Sequence, residues 1–275
     1  KLISSFLIFS LIFGIIEFLR GSILTGFPWN LIAYSFSNQL KIISITSIIG
    51  TYGFNLLCIS FFTSPAIFFL KDKNKDLSIV IFFLIVVLFF YAYGSSYKEK
   101  FNNIPKKNLD YKVRVIGSNI SLDRFYKNID TTLVIQDLIE LSKPNLKDKT
   151  IFIWPEGILP NVSQKELILF SSLFDERFNK NHLLIIGTNS SSEINGIKNY
   201  YNSLTIHDYK LNILNSYNKI NLVPFGEFLP FEGILKKIGL KVITNNYQSY
   251  SKGNGRKIIE IKKDGFSLKI LPLIC

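Results

Sequence analysis

The chain has 275 residues, of which 48% are hydrophobic and 15% aromatic, and its mean hydropathy is +0.25. This composition excludes an ordinary soluble domain. The apolar excess lies before residue 95, and the residues that follow have the mixed composition of a globular domain. We therefore predict a membrane part followed by a water-soluble part.

The net charge of +12 has two interpretations. Lys, Asn and Ile are abundant throughout, which could reflect a bias of the coding genome, or a basic domain could be attracted to an anionic lipid surface. No basic stripe with interleaved aromatics is present, so we expect no nucleic-acid partner. His182 and His207 lack ligand spacing, and Cys58 and Cys275 lie in different predicted media, so we expect no metal, no cofactor and no disulfide.

Three apolar segments long enough to cross a bilayer come first, at about residues 2–19, 42–70 and 77–93. Glu17 and Arg20, near the end of the first, are spaced to form an ion pair. The link at 71–76 holds three lysines and should face the cytoplasm by the positive-inside rule. This orientation predicts a multi-pass protein whose residues after 95 lie outside the cytoplasm.

Residues 96–107 are charged and polar and are predicted to form a linker, and residues 108–275 carry alternating strand and helix patterns. Helical spacing covers 128–142, with Pro144 as a stop, and an amphipathic pattern predicts a second helix over 164–178. Strands are predicted at 111–117, 150–154, 183–187, 202–206 and 210–217, with two more within 257–275. The order predicts a mixed α/β layered domain.

Three side chains with catalytic potential lie at or just after apolar runs of this domain. Glu156 follows the strand 150–154, where a carboxylate partly removed from water would be a better base. Lys219 precedes a rigid apolar turn, and Cys275 ends an apolar strand. Taken singly, each is more commonly a solvated charge or a small buried residue. Together they supply the carboxylate, ammonium and thiol that an acyl-transferring cysteine site needs.

The sequences around these residues carry a family resemblance. The Trp154–Glu156 motif, the pattern Tyr-x-Lys-x-x-Leu-Val-Pro-Phe-Gly-Glu at 217–227, and the Pro-Leu-Ile-Cys at 272–275 resemble the nitrilase superfamily. Within it, the chain resembles apolipoprotein N-acyltransferases, and residues 20–29 resemble that family's loop between two spans. The resemblance covers nearly the whole chain. It implies membrane helices followed by an incomplete nitrilase-like α-β-β-α sandwich, in a monomeric enzyme of the bacterial inner membrane with its catalytic domain on the periplasmic side.

The resemblance also implies roles for the matching residues. Cys275 would take an acyl chain from a phospholipid as a thioester, Glu156 would remove the thiol proton, and Lys219 would stabilise the oxyanion. The acyl chain would then pass to the N-terminal amine of diacylglyceryl-cysteine in an apolipoprotein, completing lipoprotein maturation.

Further matches are open to two interpretations each. Glu227 would orient Lys219 or the loop of the site, or would simply lie at the surface. Arg20 and Trp29 would contact lipid, although a tryptophan at a membrane interface is commonly only an anchor. The Asn-Ser-Leu segment at 202–204 resembles a strand of the family and is predicted to be structural.

One departure concerns the ends of the sequence. Family members continue past the cysteine with a tyrosine and a glutamate, whereas nothing follows Cys275 here, and Met is absent. We therefore expect the sequence to be a fragment lacking both ends and to be inactive by itself.

Two other functions fit parts of the sequence. A membrane-tethered nitrilase-type amidase acting on small carbon–nitrogen substrates could use the same triad, but a water-soluble substrate gives no reason for several spans. A transporter or scaffold should carry charges within its spans, and Glu17 alone lies in one, near its end.

Overall fold

The computed structural model describes residues 2–26, 28–69, 77–105, 109–117, 130–159, 161–194, 196–238 and 249–274. The chain divides into two compact units, Lys1–Lys107 and Asn108–Cys275. Two features singled out in the sequence, the lysine-rich link at 71–76 and Cys275, lie outside the described residues.

The first unit is helical. Its α-helices are α1 (Leu2–Ser22), α2 (Leu40–Ile43), α3 (Thr46–Thr63) and α4 (Ser78–Asn102). Three segments are long and apolar enough to cross a membrane: Ser4–Ser22, Thr46–Ala66 and Ser78–Asn102. The predicted apolar helices are therefore present.

The helix bounds differ from the sequence-based ones in two places. The second predicted span is interrupted, because α2 is separate from α3 and Gly50 within α3 has a positive φ of 70°. Helix α3 ends at Thr63, just before Pro65. Helix α4 continues through 96–102, which the sequence assigns to a linker, because charged residues extend a helix as readily as apolar ones once the preceding turns are formed.

The second unit is built on a five-stranded sheet. Its strands are β1 (Lys112–Val115), β2 (Thr150–Trp154), β3 (His182–Ile194), β4 (Ile197–His207) and β5 (Ile213–Asn218), in that order across the sheet. The first three are parallel to one another, and the last three pair antiparallel. Strands β6 (Ile259–Lys263) and β7 (Phe266–Ile270) form a separate hairpin.

The two faces of the five-stranded sheet bury different partners. Phe152 and Leu184 belong to a core shared with the helix α5 (Thr131–Ser142), whereas Ile151 and Ile185 belong to a core shared with the β6–β7 hairpin. Alternate residues of a strand point to opposite faces, so the sheet separates a helical layer from a second sheet. The predicted order of apolar helices followed by an α/β domain is confirmed, and the described residues form three of the four layers expected.

Helix α5 ends where Pro144 predicts, but it begins at Thr131 rather than at the predicted residue 128. Asp130 caps it by accepting a hydrogen bond of 2.8 Å from the backbone N–H of Thr132, and Lys143, before Pro144, adopts the left-handed conformation that ends it. The second predicted helix, over 164–178, is shorter than predicted and mixed in type: a 3-10 helix, Glu166–Phe170, is followed by the short α-helix α6 (Ser171–Asp175). A further short helix, α7, spans Glu232–Lys237.

Leu138 and Leu133 of α5 provide a test of this packing. Leu138 is fully buried in the helix-side core, and Leu133 is 57% exposed on the same helix. We expect Leu138→Ala to cost about 2–5 kcal/mol of unfolding free energy, because it leaves a cavity, and Leu133→Ala to cost less than about 0.5 kcal/mol. Thermal unfolding of the purified protein in detergent measures both, and equal effects would contradict the assignment of α5 to the core.

Candidate active site

The sheet order brings distant parts of the chain to one place. Glu156 follows the end of β2 and Lys219 follows the end of β5, while β3 and β4 lie between these two strands. Asn202 of β4 lies directly opposite Asn189 of β3 in the antiparallel register. Residues two apart in a strand share a face, so Asn202 and Asn189 project on the side that the β6–β7 hairpin covers.

Lys219 joins two carboxylates. Its Nζ lies 3.0 Å from Oε1 of Glu156 and 3.0 Å from Oε1 of Glu227. The same two oxygens accept from Nδ2 of Asn202, at 2.6 Å and 2.7 Å. Two donors therefore bridge two acceptors in a closed hydrogen-bonded ring, which holds the like-charged carboxylates side by side.

The ammonium of Lys219 is almost entirely removed from water, with 3% of the side chain exposed. Burial by itself lowers the pKa of Lys219, but the hydrogen bonds and charges of Glu156 and Glu227 outweigh it, and the pKa is raised above its ordinary value. A buried charge is stable only when it is paired and hydrogen-bonded, and here both carboxylates supply the partners. Lys219 is therefore a cation at neutral pH.

The two glutamates differ in their remaining hydrogen bonds. Oε2 of Glu227 accepts from the backbone N–H of Val223 at 2.8 Å, and the side chain is 13% exposed. Both oxygens of Glu227 are thus committed. The Glu156 side chain is 35% exposed, and within the described part of the chain its Oε2 has no hydrogen-bond partner. Of the two, Glu156 is the carboxylate that can exchange a proton with a substrate or nucleophile.

Glu227 is held by a tight turn. The backbone N–H of Glu227 donates to the carbonyl of Val223 at 2.8 Å, while its side chain accepts from the N–H of that same residue. Phe225, within the turn, has a positive φ of 61°, a conformation that is unfavourable for a bulky residue. The turn 223–228 therefore fixes Glu227 relative to Lys219, and Glu227 orients both the lysine and the loop.

A glycine makes room for Glu156. A Cβ on Gly187 of β3 would lie 2.6 Å from Cα of Glu156 and 2.7 Å from the carbonyl oxygen of Pro155. These are backbone atoms, which cannot swing aside as the end of a side chain can. The segment after β2 thus packs directly on the backbone of β3, and this contact sets the position of the Glu156 carboxylate.

The other residues singled out in the sequence are placed as follows. Arg20 pairs with Glu17 at 2.7 Å in α1, and Trp29 is exposed. Cys275 lies outside the described residues, but the preceding Ile274 is partly buried against the hairpin-side core. No group of three or more potential metal ligands occurs within the residues that the structure describes.

Asn202 is a site residue that the sequence analysis assigned a structural role. Its amide contacts both carboxylates, so it belongs to the cluster itself. A signal for it existed: asparagine is depleted in strands, and Asn202 is the first residue of the strand predicted over 202–206. Its partners could not be predicted, because Glu156 and Glu227 lie 46 and 25 positions away in the sequence and come close to Asn202 only in the folded chain.

Known proteins can be set beside this geometry. Residues 1–64 match the model of the apolipoprotein N-acyltransferase N-terminal domain. An apolipoprotein N-acyltransferase of Rickettsia prowazekii is 32% identical over 98% of this chain and 52% of its own length. One from Rhodopseudomonas palustris is 29% identical over 94% of this chain and 49% of its own length.

The resemblance to apolipoprotein N-acyltransferases is confirmed. It extends over both units and includes the segments that carry Glu156, Lys219 and Glu227. The chain spans about half the length of the curated relatives it matches.

Solved structures give a weaker likeness. An N-terminal amidase crystallised with an Asn-Glu-Ala peptide has a TM-score of 0.33 at 16% identity, covering 58% of this chain and 38% of its own. An amidase from Nesterenkonia sp. has a TM-score of 0.31 at 12% identity, covering 62% of this chain and 58% of its own. At such scores the likeness carries no conclusion, and the fold assignment rests on the strand pairings and the two cores.

The packing of Gly187 on Glu156 can be tested with a matched pair of substitutions. We expect Gly187→Ala to lower the unfolding free energy by about 1–3 kcal/mol, because the new methyl group overlaps backbone. Gly233→Ala in α7, where a Cβ would meet nothing within 4 Å, should leave stability unchanged or slightly raised. Thermal unfolding of both variants measures the difference. A Gly187→Ala protein as stable as the wild type would show that the segment after β2 can move.

The raised pKa of Lys219 predicts how its contribution to stability depends on pH. A group whose pKa is higher in the folded state stabilises fully below its unfolded pKa, and the stabilisation is lost as pH rises through the folded pKa. The stability advantage of the wild type over Lys219→Met should therefore stay constant from neutral pH to the ordinary lysine value of 10.5 and shrink above it. Unfolding measured over this range checks it. An advantage that instead rises with pH between neutral pH and 10.5 would mean that burial dominates and that the pKa of Lys219 is lowered.

Proposed function

We propose that the protein transfers an acyl chain from a membrane phospholipid, through a cysteine thioester, to the N-terminal amine of diacylglyceryl-cysteine in apolipoproteins. The observation that carries this proposal is the Glu156–Lys219 pair, in which a buried ammonium and a carboxylate with one uncommitted oxygen lie 3.0 Å apart in a chain similar to apolipoprotein N-acyltransferases. Thiol acyl transfer needs a base and an oxyanion donor beside the nucleophile, and this pair supplies both.

Glu156 is the general base and Cys275 the nucleophile. The carboxylate takes the thiol proton, and the thiolate attacks the acyl carbonyl carbon of the phospholipid to give a tetrahedral intermediate. Collapse breaks the bond to the glycerol oxygen, which receives the proton from Glu156 and leaves as lysophospholipid. The burial of Ile274 against the core on the Lys219 side of the sheet supports a position for Cys275 near this pair.

Lys219 stabilises the oxyanion of each tetrahedral intermediate. An ammonium has three donors, and within the described residues two of them have acceptors, on Glu156 and Glu227. The third can donate to a developing oxyanion without breaking either ion pair. Because Lys219 is buried and held from two sides, little reorganisation is needed at the moment of reaction.

The second half-reaction reverses the roles. The free amine of the diacylglyceryl-cysteine attacks the thioester carbonyl, and Glu156 accepts a proton from the nitrogen. The carbon–sulfur bond then breaks, and the departing sulfur receives that proton from Glu156. The products are the N-acylated lipoprotein and the free thiol. Two half-reactions through one covalent intermediate predict ping-pong kinetics.

Glu227 and Asn202 are positioning residues in this scheme. Glu227 fixes Lys219 to the turn 223–228, and Asn202 keeps the two carboxylates in register with each other. Neither needs to exchange a proton with the substrate. Their hydrogen bonds explain how the charges of the site stay in place while Glu156 is protonated and deprotonated.

The membrane part agrees with a lipid donor. We propose a monomeric, multi-pass protein of the bacterial inner membrane whose catalytic unit lies on the periplasmic side, with Arg20 and Trp29 contacting lipid. The three apolar helices support membrane attachment. An amidase acting on small soluble substrates is not favoured, because it gives no reason for these helices and the similarity extends over them.

Formation of the acyl-enzyme tests the proposal. The protein as its gene encodes it, incubated with phosphatidylethanolamine carrying a labelled acyl chain, should acquire the label on Cys275 in a bond that hydroxylamine cleaves. Glu156→Gln should slow labelling by about 10²–10⁴-fold through loss of the base, and Lys219→Met by about 10²–10³-fold through loss of the oxyanion donor. Mass spectrometry locates the label.

Matched controls separate chemistry from charge. Glu176→Gln and Lys180→Met change the same residue types at exposed positions and should label at the wild-type rate. Release of ammonia from small amides, with no labelling from phospholipid, would instead favour the amidase. Labelling that persists in Cys275→Ala would refute the assignment of the nucleophile.

A further inference from the structure

A polar cavity lies beside the carboxylate–lysine cluster. Its volume is about 540 Å³, within the range of about 300–1,000 Å³ typical of small-molecule sites. Its walls include the loop that follows β2, at Ser163, and the β3–β4 pair, at Ser191 and Tyr200. This lining differs from an acyl-chain pocket, which would be apolar.

The cavity and the cluster share a wall. Asn189 lines the cavity and lies directly opposite Asn202, whose amide holds both carboxylates. Tyr250, also in the lining, donates from its hydroxyl to Oδ1 of Asn189 at 2.9 Å and from its backbone N–H to the carbonyl of Glu227 at 2.8 Å. Burial and the charge of Glu227 raise the pKa of Tyr250, so the hydroxyl keeps the proton that it donates. The Asn189–Asn202 pair thus lies between a ligand in the cavity and the cluster.

The charged residues of the lining favour an anion. Two lysines, Lys165 and Lys198, face one glutamate, Glu166, which leaves one net positive charge. Glu166 is already engaged, because its Oε2 accepts from the backbone N–H of Ser163 at 2.9 Å. The Nζ of Lys198 lies over the ring of Tyr200, 5.1 Å from its centre. Ammonium groups beside serine and tyrosine hydroxyls are suitable donors to a phosphate.

The spacing matches a phospholipid. On β4, Tyr200 is two residues and Lys198 four residues beyond Asn202, which at about 3.4 Å per residue gives roughly 7 Å and 14 Å. The Nζ of Lys198 lies 5.1 Å from the ring centre of Tyr200, the residue two positions closer to Asn202 on β4. In a diacyl phospholipid the glycerol backbone separates the acyl carbonyl carbon from phosphorus by about 7 Å, taking the advance per bond of an extended chain. An ester carbonyl at Lys219 would therefore carry its phosphate into this cavity.

We propose that this cavity binds the phosphate of the acyl-donor phospholipid, with Lys198 as the principal cation and Lys165 as a second. The inference rests on the proposed function and adds the part of the donor lipid that the site recognises. The recognised group is the phosphodiester, which diacyl phospholipids share. The head-group alcohol beyond the phosphate is not selected by this cavity.

Two acyl donors, one with a phosphate and one without, distinguish phosphate binding by this cavity from a general effect on acyl transfer. The full protein is incubated with phosphatidylglycerol in mixed micelles or with p-nitrophenyl palmitate. The second donor supplies an acyl group without a phosphate. Acyl-enzyme formation is measured for each donor. Lys198→Gln should raise the half-saturating amount of phospholipid by about five- to ten-fold, the effect of losing one charge-assisted hydrogen bond. Lys198→Arg should retain most of the wild-type value. None of these variants should change the rate with p-nitrophenyl palmitate, which also reports that the site is folded.

Lys210 provides the matched control. Like Lys198 it is exposed and lies over a tyrosine ring, 5.7 Å from the centre of Tyr209, but it is not part of the cavity wall. Lys210→Gln should behave as the wild type with both donors. If Lys198→Gln, alone or with Lys165→Gln, leaves phospholipid use unchanged or weakens both donors equally, the phosphate site is refuted while the acyltransferase proposal stands. If the wild type forms no acyl-enzyme with either donor, the proposed function fails and this inference fails with it.

Discussion

The buried ammonium of Lys219 is the interaction on which the rest of the site depends. Two carboxylates within hydrogen-bonding distance of a common atom repel each other, and a lysine with 3% of its side chain exposed cannot stay charged without partners. The ammonium and the two carboxylates therefore stabilise one another in the charged form, and removing any of them leaves a buried charge uncompensated. Asn202 adds a neutral donor to the same two oxygens, so the ring stays closed when the charge on one carboxylate changes. The cluster is a coupled unit rather than a set of independent residues.

The two glutamates are distinguished by geometry, not by residue type. Glu227 has both oxygens occupied and is fastened to the backbone of its own turn, whereas Glu156 is more exposed and keeps one oxygen uncommitted. A base must be able to gain and lose a proton without disrupting its surroundings, and only Glu156 meets this condition among the two. In the proposed mechanism, the committed glutamate holds the cation in place during proton transfer. The hydrogen bonds of the two glutamates support this separation of tasks, which also agrees with the family resemblance.

Much of the architecture could be predicted from the sequence, because it depends on local patterns. Apolar length indicated the helices of the first unit, a short apolar run indicated β2, and Pro144 marked the end of α5. The helix type of residues 166–170 and the length of α4 were wrong, since propensity does not decide between helix types or where a charged helix stops. Glu156 and Lys219 could be named from their motifs. The role of Asn202 and the packing of Gly187 could not, because both arise from pairing between strands that are distant in sequence.

The arrangement of the sheets explains why the chemistry is spread so widely along the chain. The carboxylate, the amide and the ammonium come from the end of β2, the middle of β4 and the end of β5, and they meet on the face that the β6–β7 hairpin covers. Ile274, which follows that hairpin, packs into the same core. Under the proposed function, a change that loosens this packing would alter the distance between the proposed nucleophile and base without touching either residue. Core residues such as Ile185 and Leu268 would then be coupled to the proposed catalysis through position, as expected for a site built across two sheets.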